Sequence, residues 1–88
     1  MNQVETRIGD LIRTRLPKVM GREEIAADTP LLDGGLNLDS VDLLELILMV
    51  EEEFGVVVED NDLSVDLLQD VRSLARFVRG HLPTPSAP

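Results

Sequence analysis

Apolar residues stand at Val4, Ile8, Leu11, Ile12 and Leu16, the i, i+4, i+7, i+8 stripe of an amphipathic helix. Pro17 ends that helix or closely follows its end. Between residues 18 and 39 the periodicity disappears, and Gly21, Pro30, Gly34 and Gly35 interrupt the chain. A connection so much longer than the usual ~4–6 residues is either functional or packed on itself. Ile25, Leu31, Leu32 and Leu36 are the residues that would pin it to a core.

The pattern returns at Asp39, whose carboxylate can cap free backbone N–H groups, with Asp42 adding negative charge in the first turn. The spacing predicts a helix from about Ser40 to Phe54, with Gly55 as its C-cap. Leu43, Leu46, Ile47, Val50 and Phe54 form the expected core face, and Asp42, Glu45, Met49 and Glu52 the opposite one. Leu44 and Leu48, one turn apart, border that acidic side, an arrangement suited to docking. Val56-Val57-Val58 reads as an extended connection, because three residues without a pairing partner do not make a sheet. A short helix is expected from about Asp60 to Leu68. A last helix is expected from Val71 to Arg79, capped by Asp70 and Gly80, with Val71, Leu74, Ala75, Val78 and Phe77 turned inward. Three prolines within Pro83-Thr84-Pro85-Ser86-Ala87-Pro88 exclude a helix there. The pattern therefore predicts an all-α domain over residues 1–82 and a disordered Pro-rich tail over 83–88. Its architecture is a small four-helix bundle, three main helices plus one short one, with a long first loop.

Eighty-eight residues allow one domain, and a chain of this size buries only about 60–65% of its unfolded surface. There is no cysteine, so disulfides and thiolate metal sites are excluded, and a reducing compartment fits. No apolar run approaches the roughly 20 residues of a membrane span. The first residues, Met1-Asn2-Gln3-Val4-Glu5, lack the basic and apolar regions of a signal peptide. A cytoplasmic monomer is the expectation.

Charge sharpens the picture. Seventeen acidic residues against eight basic ones give a net charge of −9. Fifteen of those acids lie between Glu23 and Val71, a stretch without a single Lys or Arg. Such a surface repels nucleic acid and anionic membranes and attracts basic protein partners.

Ser40 is the candidate for chemistry. A nucleophilic serine needs a base such as His or Lys within reach. The one histidine, His81, lies near the far end of the chain, and no lysine follows Lys18. A small hydrolase or transferase remains as a reading only with a base that the sequence does not offer. A serine at a helix N-terminus does suit a phosphodiester, because free N–H groups and the helix dipole favour an anion. Asp39 opposes a free phosphate by charge, so covalent attachment by another enzyme is favoured over a simple phosphate pocket. The run Asp60-Asn61-Asp62-Leu63-Ser64-Val65-Asp66 begins like a calcium loop. Val65 stands where glycine is required and Val71 where glutamate is required, so no metal site of that type is expected.

The run Gly35-Leu36-Asn37-Leu38-Asp39-Ser40-Val41-Asp42, with Leu44-Glu45-Leu46 and Glu51-Glu52-Glu53-Phe54-Gly55 downstream, resembles the signature of acyl carrier proteins of the discrete type. The likeness covers about Val4 to Leu82. It implies that Ser40, flanked by Asp39 and Val41, receives 4′-phosphopantetheine from coenzyme A through a separate phosphopantetheinyl transferase. The thiol of that arm would hold acyl groups as thioesters and deliver them to acyl-loading, ketosynthase-type and other biosynthetic enzymes, the carrier itself catalysing nothing. Asp39, Asp42, Glu45, Glu51 and Glu52 would then supply charge for basic partner surfaces, and Val41, Leu44 and Leu48 a small apolar contact. Leu43, Ile47, Val50 and Phe77 would shelter the acyl chain. Val41 departs from the commoner leucine, and the stretch from Glu59 to Asp70 is slightly long, which bears on the short helix beside the acyl cleft. The helix sequence leans toward a dedicated polyketide or specialised-metabolite pathway over primary fatty acid synthesis. The alternative is an acidic helical adaptor without a prosthetic group, in which Asp39-Ser40 is only a helix cap.

Overall fold

The computed structural model describes residues 3–19 and 24–82. The expected tail over 83–88, together with Met20, Gly21 and Arg22 of the first loop, lies outside the described residues. Three α-helices carry the fold: α1 (Gln3–Arg15), α2 (Ser40–Phe54) and α3 (Val71–His81). Each lies within two residues of its expected bounds, because each is bounded by a chemical signal as well as by periodicity.

α1 turns Ile8 and Ile12 fully inward, and Leu16 just beyond it is equally buried. Burying a side chain of this size contributes about 1.5–3 kcal/mol. α1 packs chiefly on α3, whose inner face is Val71, Leu74, Ala75 and Val78. Phe77 is half-buried at the edge of this core, and its ring stacks on His81 at a centroid distance of 4.0 Å. Asp70 caps α3 by accepting the Ser73 N–H at 2.8 Å. α3 continues through Gly80 to His81, where a C-cap at Gly80 had been expected. His81 Nδ1 lies 2.9 Å from the Phe77 carbonyl, which holds the last turn closed.

α2 contributes Leu46, Ile47, Val50 and Phe54 to the core, and Met49 joins them, contrary to its expected outward position. Met49 lies three residues beyond Leu46, close enough on the helical wheel to extend the buried stripe. Gly55 ends the helix in the left-handed conformation at φ 68° and returns its N–H to Glu51 O. Three glutamates in the last turn, Glu51 to Glu53, face the negative end of the helix dipole and are locally unfavourable. Two of them have partners. Glu51 accepts the Val58 N–H at 2.8 Å, and Glu53 pairs with Arg7 of α1. The same Arg7 guanidinium sits 4.6 Å from the centre of the Phe54 ring, tying the start of α1 to the end of α2.

The long connection is packed on itself. Ile25, Leu31 and Leu36 are buried, as are Ala27 and Leu38, whereas Leu32 is half-buried. Its backbone is tied to the segment before α3: Leu31 N–H donates to Gln69 O, and Ala27 O accepts the Arg72 N–H. Among the described residues the one β pairing is the antiparallel bridge between Pro30 and Asp70. Pro17–Val19 forms a 3₁₀ turn at the start of the connection, because proline's fixed φ and missing N–H suit a turn's first position.

The expected short helix over 60–68 takes a different form. Asp60–Asp62 is one 3₁₀ turn, and residues 65–68 form a separate turn closed by Leu67 N–H to Ser64 Oγ and Leu68 N–H to Ser64 O. Three acids, Asp60, Asp62 and Asp66, with no base between them give no i, i+4 ion pairs to support a continuous helix there. Residues 56–59 carry neither helix nor strand, and Glu59 is in the extended region. No helix among the described residues is long and apolar enough to cross a membrane.

Candidate functional site

Ser40 is exposed at the first position of α2. Asp39, not Ser40, caps this helix: Asp39 Oδ1 accepts the Asp42 N–H at 2.9 Å, and Asp42 Oδ2 accepts the Asp39 N–H at 3.2 Å. This reciprocal box satisfies two of the backbone donors that a helix start leaves free. It also leaves the Ser40 hydroxyl uncommitted, with no hydrogen-bond partner among the described residues. The Asp42 N–H, above all, holds the Asp39 carboxyl below its ordinary pKa, with help from the Asp42 side chain, Lys18 and the Val41 N–H against desolvation. Asp39 is therefore an ionised cap at neutral pH and a poor proton acceptor.

The loop that delivers the chain to Ser40 is held from three sides. Leu36 N–H donates to Pro30 O at 2.9 Å, and Leu38 N–H to Leu31 O at 3.0 Å. Asn37 adopts a left-handed φ of 53°, and its carbonyl accepts a hydrogen bond from Lys18 Nζ. Lys18 Nζ also lies 3.7 Å from Asp42 Oδ2, so the one lysine bridges the loop and the first turn of α2. Gly35 sits so close to Pro30 that an added Cβ would lie 2.1 Å from the Pro30 carbonyl oxygen. No side chain fits there.

Beside Ser40 runs an open groove of about 220 Å³, lined by Ser40, Leu43, Leu44, Ile47, Leu63 and Leu68. Ser40 is its single polar lining residue, and neither histidine nor lysine reaches it. Leu43 and Ile47 were expected as such a wall. Val50 and Phe77 do not line this groove: Val50 is completely buried in the bundle interior, and Phe77 packs at the core's edge against His81. Leu63 and Leu68 supply the opposite wall. Their signal in the sequence was their apolar character within the acidic stretch 59–70.

The outward face of α2 mixes apolar and acidic groups. Val41, Leu44 and Leu48 are 64%, 63% and 55% exposed, and Glu45 and Glu52 are exposed among them. Asp42 and Glu51 are only half-exposed, and both are engaged in holding backbone, Asp42 at the helix start and Glu51 beyond its end. No cluster of metal-ligating side chains occurs among the described residues.

The arrangement is an uncommitted hydroxyl at a helix N-terminus, reachable from solvent, at the edge of an apolar groove. It fits a phosphodiester-linked arm and offers no base with which Ser40 could act alone.

Comparison with known proteins agrees. A family model described as "Phosphopantetheine attachment site" matches residues 10–78. The acyl carrier protein of Nitratidesulfovibrio vulgaris is 37% identical over 59 residues, covering 67% of this chain and 74% of the relative. That of Chloroherpeton thalassium is 34% identical over 62 residues, covering 70% and 74%. That of Lactobacillus johnsonii is 28% identical over 79 residues, covering 90% and 92%. The chain belongs to the acyl carrier protein family, a carrier with covalently attached 4′-phosphopantetheine and not an enzyme.

Proposed function

We propose that Ser40 is the attachment residue for 4′-phosphopantetheine, with Asp39 and Val41 presenting it to the transferase. The observation that carries this is the division of labour at the start of α2, where Asp39 takes the cap and leaves the Ser40 hydroxyl exposed and unbonded. The arm, when attached, supplies a thiol that holds acyl groups as thioesters. What this chain's own residues do is hold the attachment point, offer a docking face and offer an apolar groove. Glu45, Glu52, Val41, Leu44 and Leu48 form the docking face for basic biosynthetic enzymes, with Asp42 and Glu51 contributing charge from partly sheltered positions. Leu43, Leu44, Ile47, Leu63 and Leu68 line the sheltering groove, the last two standing where a short fourth helix would complete the bundle.

The pathway belongs to the same proposal: a dedicated polyketide or specialised-metabolite route, served by a cytoplasmic monomer. The test is intact-mass measurement after incubation with coenzyme A and a broad-specificity phosphopantetheinyl transferase. A gain of one phosphopantetheine on the wild type and none on Ser40→Ala is the expected result. A gain retained by Ser40→Ala would place the arm elsewhere and overturn the assignment.

A further inference from the structure

α3 carries a second, oppositely charged face. Arg72, Arg76 and Arg79 are all exposed and follow the i, i+4, i+7 spacing of one helix side, away from Val71, Leu74, Ala75 and Val78. At 1.5 Å rise per residue the three guanidinium groups are strung along about 10 Å. The described ion pairs are Arg7–Glu53, Arg13–Asp10 and Lys18–Asp42, and none uses an arginine of α3. All three bases are arginine, whose planar fork pairs with carboxylates in a bidentate manner that lysine cannot reproduce. The groove beside Ser40 contains no residue of α3, so a partner on this stripe leaves it open.

We propose that this stripe is a docking surface for an acidic protein segment, with carboxylates spaced to match the three arginines. Its occupant and the basic partners of α2 bind different faces. The net charge of −9 does not forbid such an occupant. Screening at physiological salt reduces exposed charges to local action within about 8 Å, so the sign of the stripe governs at contact. A membrane is disfavoured, because the apolar side of α3 is already buried in the core and has nothing to insert. Nucleic acid is disfavoured because three cations give little counterion release against a strongly acidic body. The segment 83–88 contains no acidic residue, so that tail is not the occupant.

The test uses the full chain, ¹⁵N-labelled, and two helical peptides of equal composition. One carries glutamates at i, i+4 and i+7, and the other has the same glutamates scattered around the helix. We expect amide shift changes confined to α3 and its flanks, with the registered peptide binding about tenfold more tightly than the scattered one. The preference is lost in the R72Q/R76Q/R79Q triple variant, whose melting temperature checks that it remains folded. Equal affinity for the two peptides, or shifts spread equally over Arg7, Arg13 and Arg15, would overturn the proposal. So would tighter binding to vesicles of anionic phospholipid than to the registered peptide. A dimer in sedimentation that the triple variant abolishes would reassign the stripe to a second copy of the chain.

Discussion

Gly35→Ala is the sharpest test of how the chain is delivered to Ser40. The new Cβ would lie 2.1 Å from Pro30 O, 2.8 Å from Pro30 C and 2.9 Å from Pro30 Cβ. Two of these atoms are backbone, so no side-chain rotation relieves the clash, and the loop must open. Overpacking of this kind costs about 1–3 kcal/mol. Opening also weakens the Leu36 N–H to Pro30 O bond, worth about 0.5–1.5 kcal/mol. Alanine's smaller unfolded-state entropy returns about 0.4–1 kcal/mol. Taking the middle of each range, the net loss is about 2 kcal/mol, a fall in Tm of roughly 5–20 °C for a domain of this size. Gly80→Ala is the control, since nothing lies within 4 Å of its added Cβ and Gly80 stands within α3. There alanine should stabilise by about 0.5–1 kcal/mol. Thermal unfolding followed by circular dichroism should therefore move in opposite directions for the two variants. A Gly35→Ala melt within about 2 °C of wild type, against that 5–20 °C expectation, would refute the reasoning.

Asp39→Asn keeps a capping side chain but removes its charge, so it isolates the electrostatic part of the cap. The Asp39 pKa is lowered in the folded state, so its stabilisation is present above the ordinary carboxylate value and lost as pH falls through the lowered one. The stability gap between wild type and variant should be open at pH 7 and close below about pH 4; a gap unchanged into strong acid would contradict this. Arg7→Ala removes both the Glu53 pair and the contact with Phe54, and should cost about 0.5–1.5 kcal/mol in urea unfolding. Arg7→Lys should recover only part of that loss, because the ammonium lacks the planar stack. Glu45→Lys and Glu52→Lys should leave the melting temperature in place while slowing loading by partner enzymes several-fold at low salt, an effect that fades as salt rises. Equal rates for wild type and variants across the salt series would remove these two residues from the docking face.

Much of this was legible in the sequence because the deciding signals are local. Asp39 and Asp70 as caps, Gly55 as a helix stop and the Ile8–Ile12 stripe each depend on residues within one or two turns, and all appear at the expected positions. The misses share a cause, dependence on tertiary placement. Ile47 and Val50 share one buried helix face, but only tertiary packing decides that Ile47 also reaches the groove. Leu63 and Leu68 form a wall only because the loop bridge at Pro30 and Asp70 fixes where the segment before α3 returns. Lys18 was visible as a charge, yet its bridge from Asn37 to Asp42 spans 19 and 24 residues of sequence, beyond any periodicity. Gly35 was visible as a loop glycine, while the Pro30 oxygen that makes it irreplaceable was not.

The acids along α2 look alike in sequence and have different work in the fold. Asp39 and Asp42 complete the cap, Glu51 holds the Val58 N–H, and Glu53 is paired with Arg7. Replacing any of these four perturbs the backbone as well as the charge, so a slower carrier would not reveal which was responsible. Glu45 and Glu52 make no ion pair among the described residues and stand exposed beside Val41, Leu44 and Leu48. They are the positions where charge can change without disturbing the fold. A face of three exposed apolar residues and two free acids is far smaller than the ~20–30 residues a side of a stable interface. If it docks partners as proposed, its affinity must be modest and its exchange fast, and electrostatic attraction must supply much of the encounter rate. That is the demand on a carrier which must leave one enzyme for the next. On the proposed docking role, the limited apolar area that would keep each engagement brief would also make its rate sensitive to two glutamates.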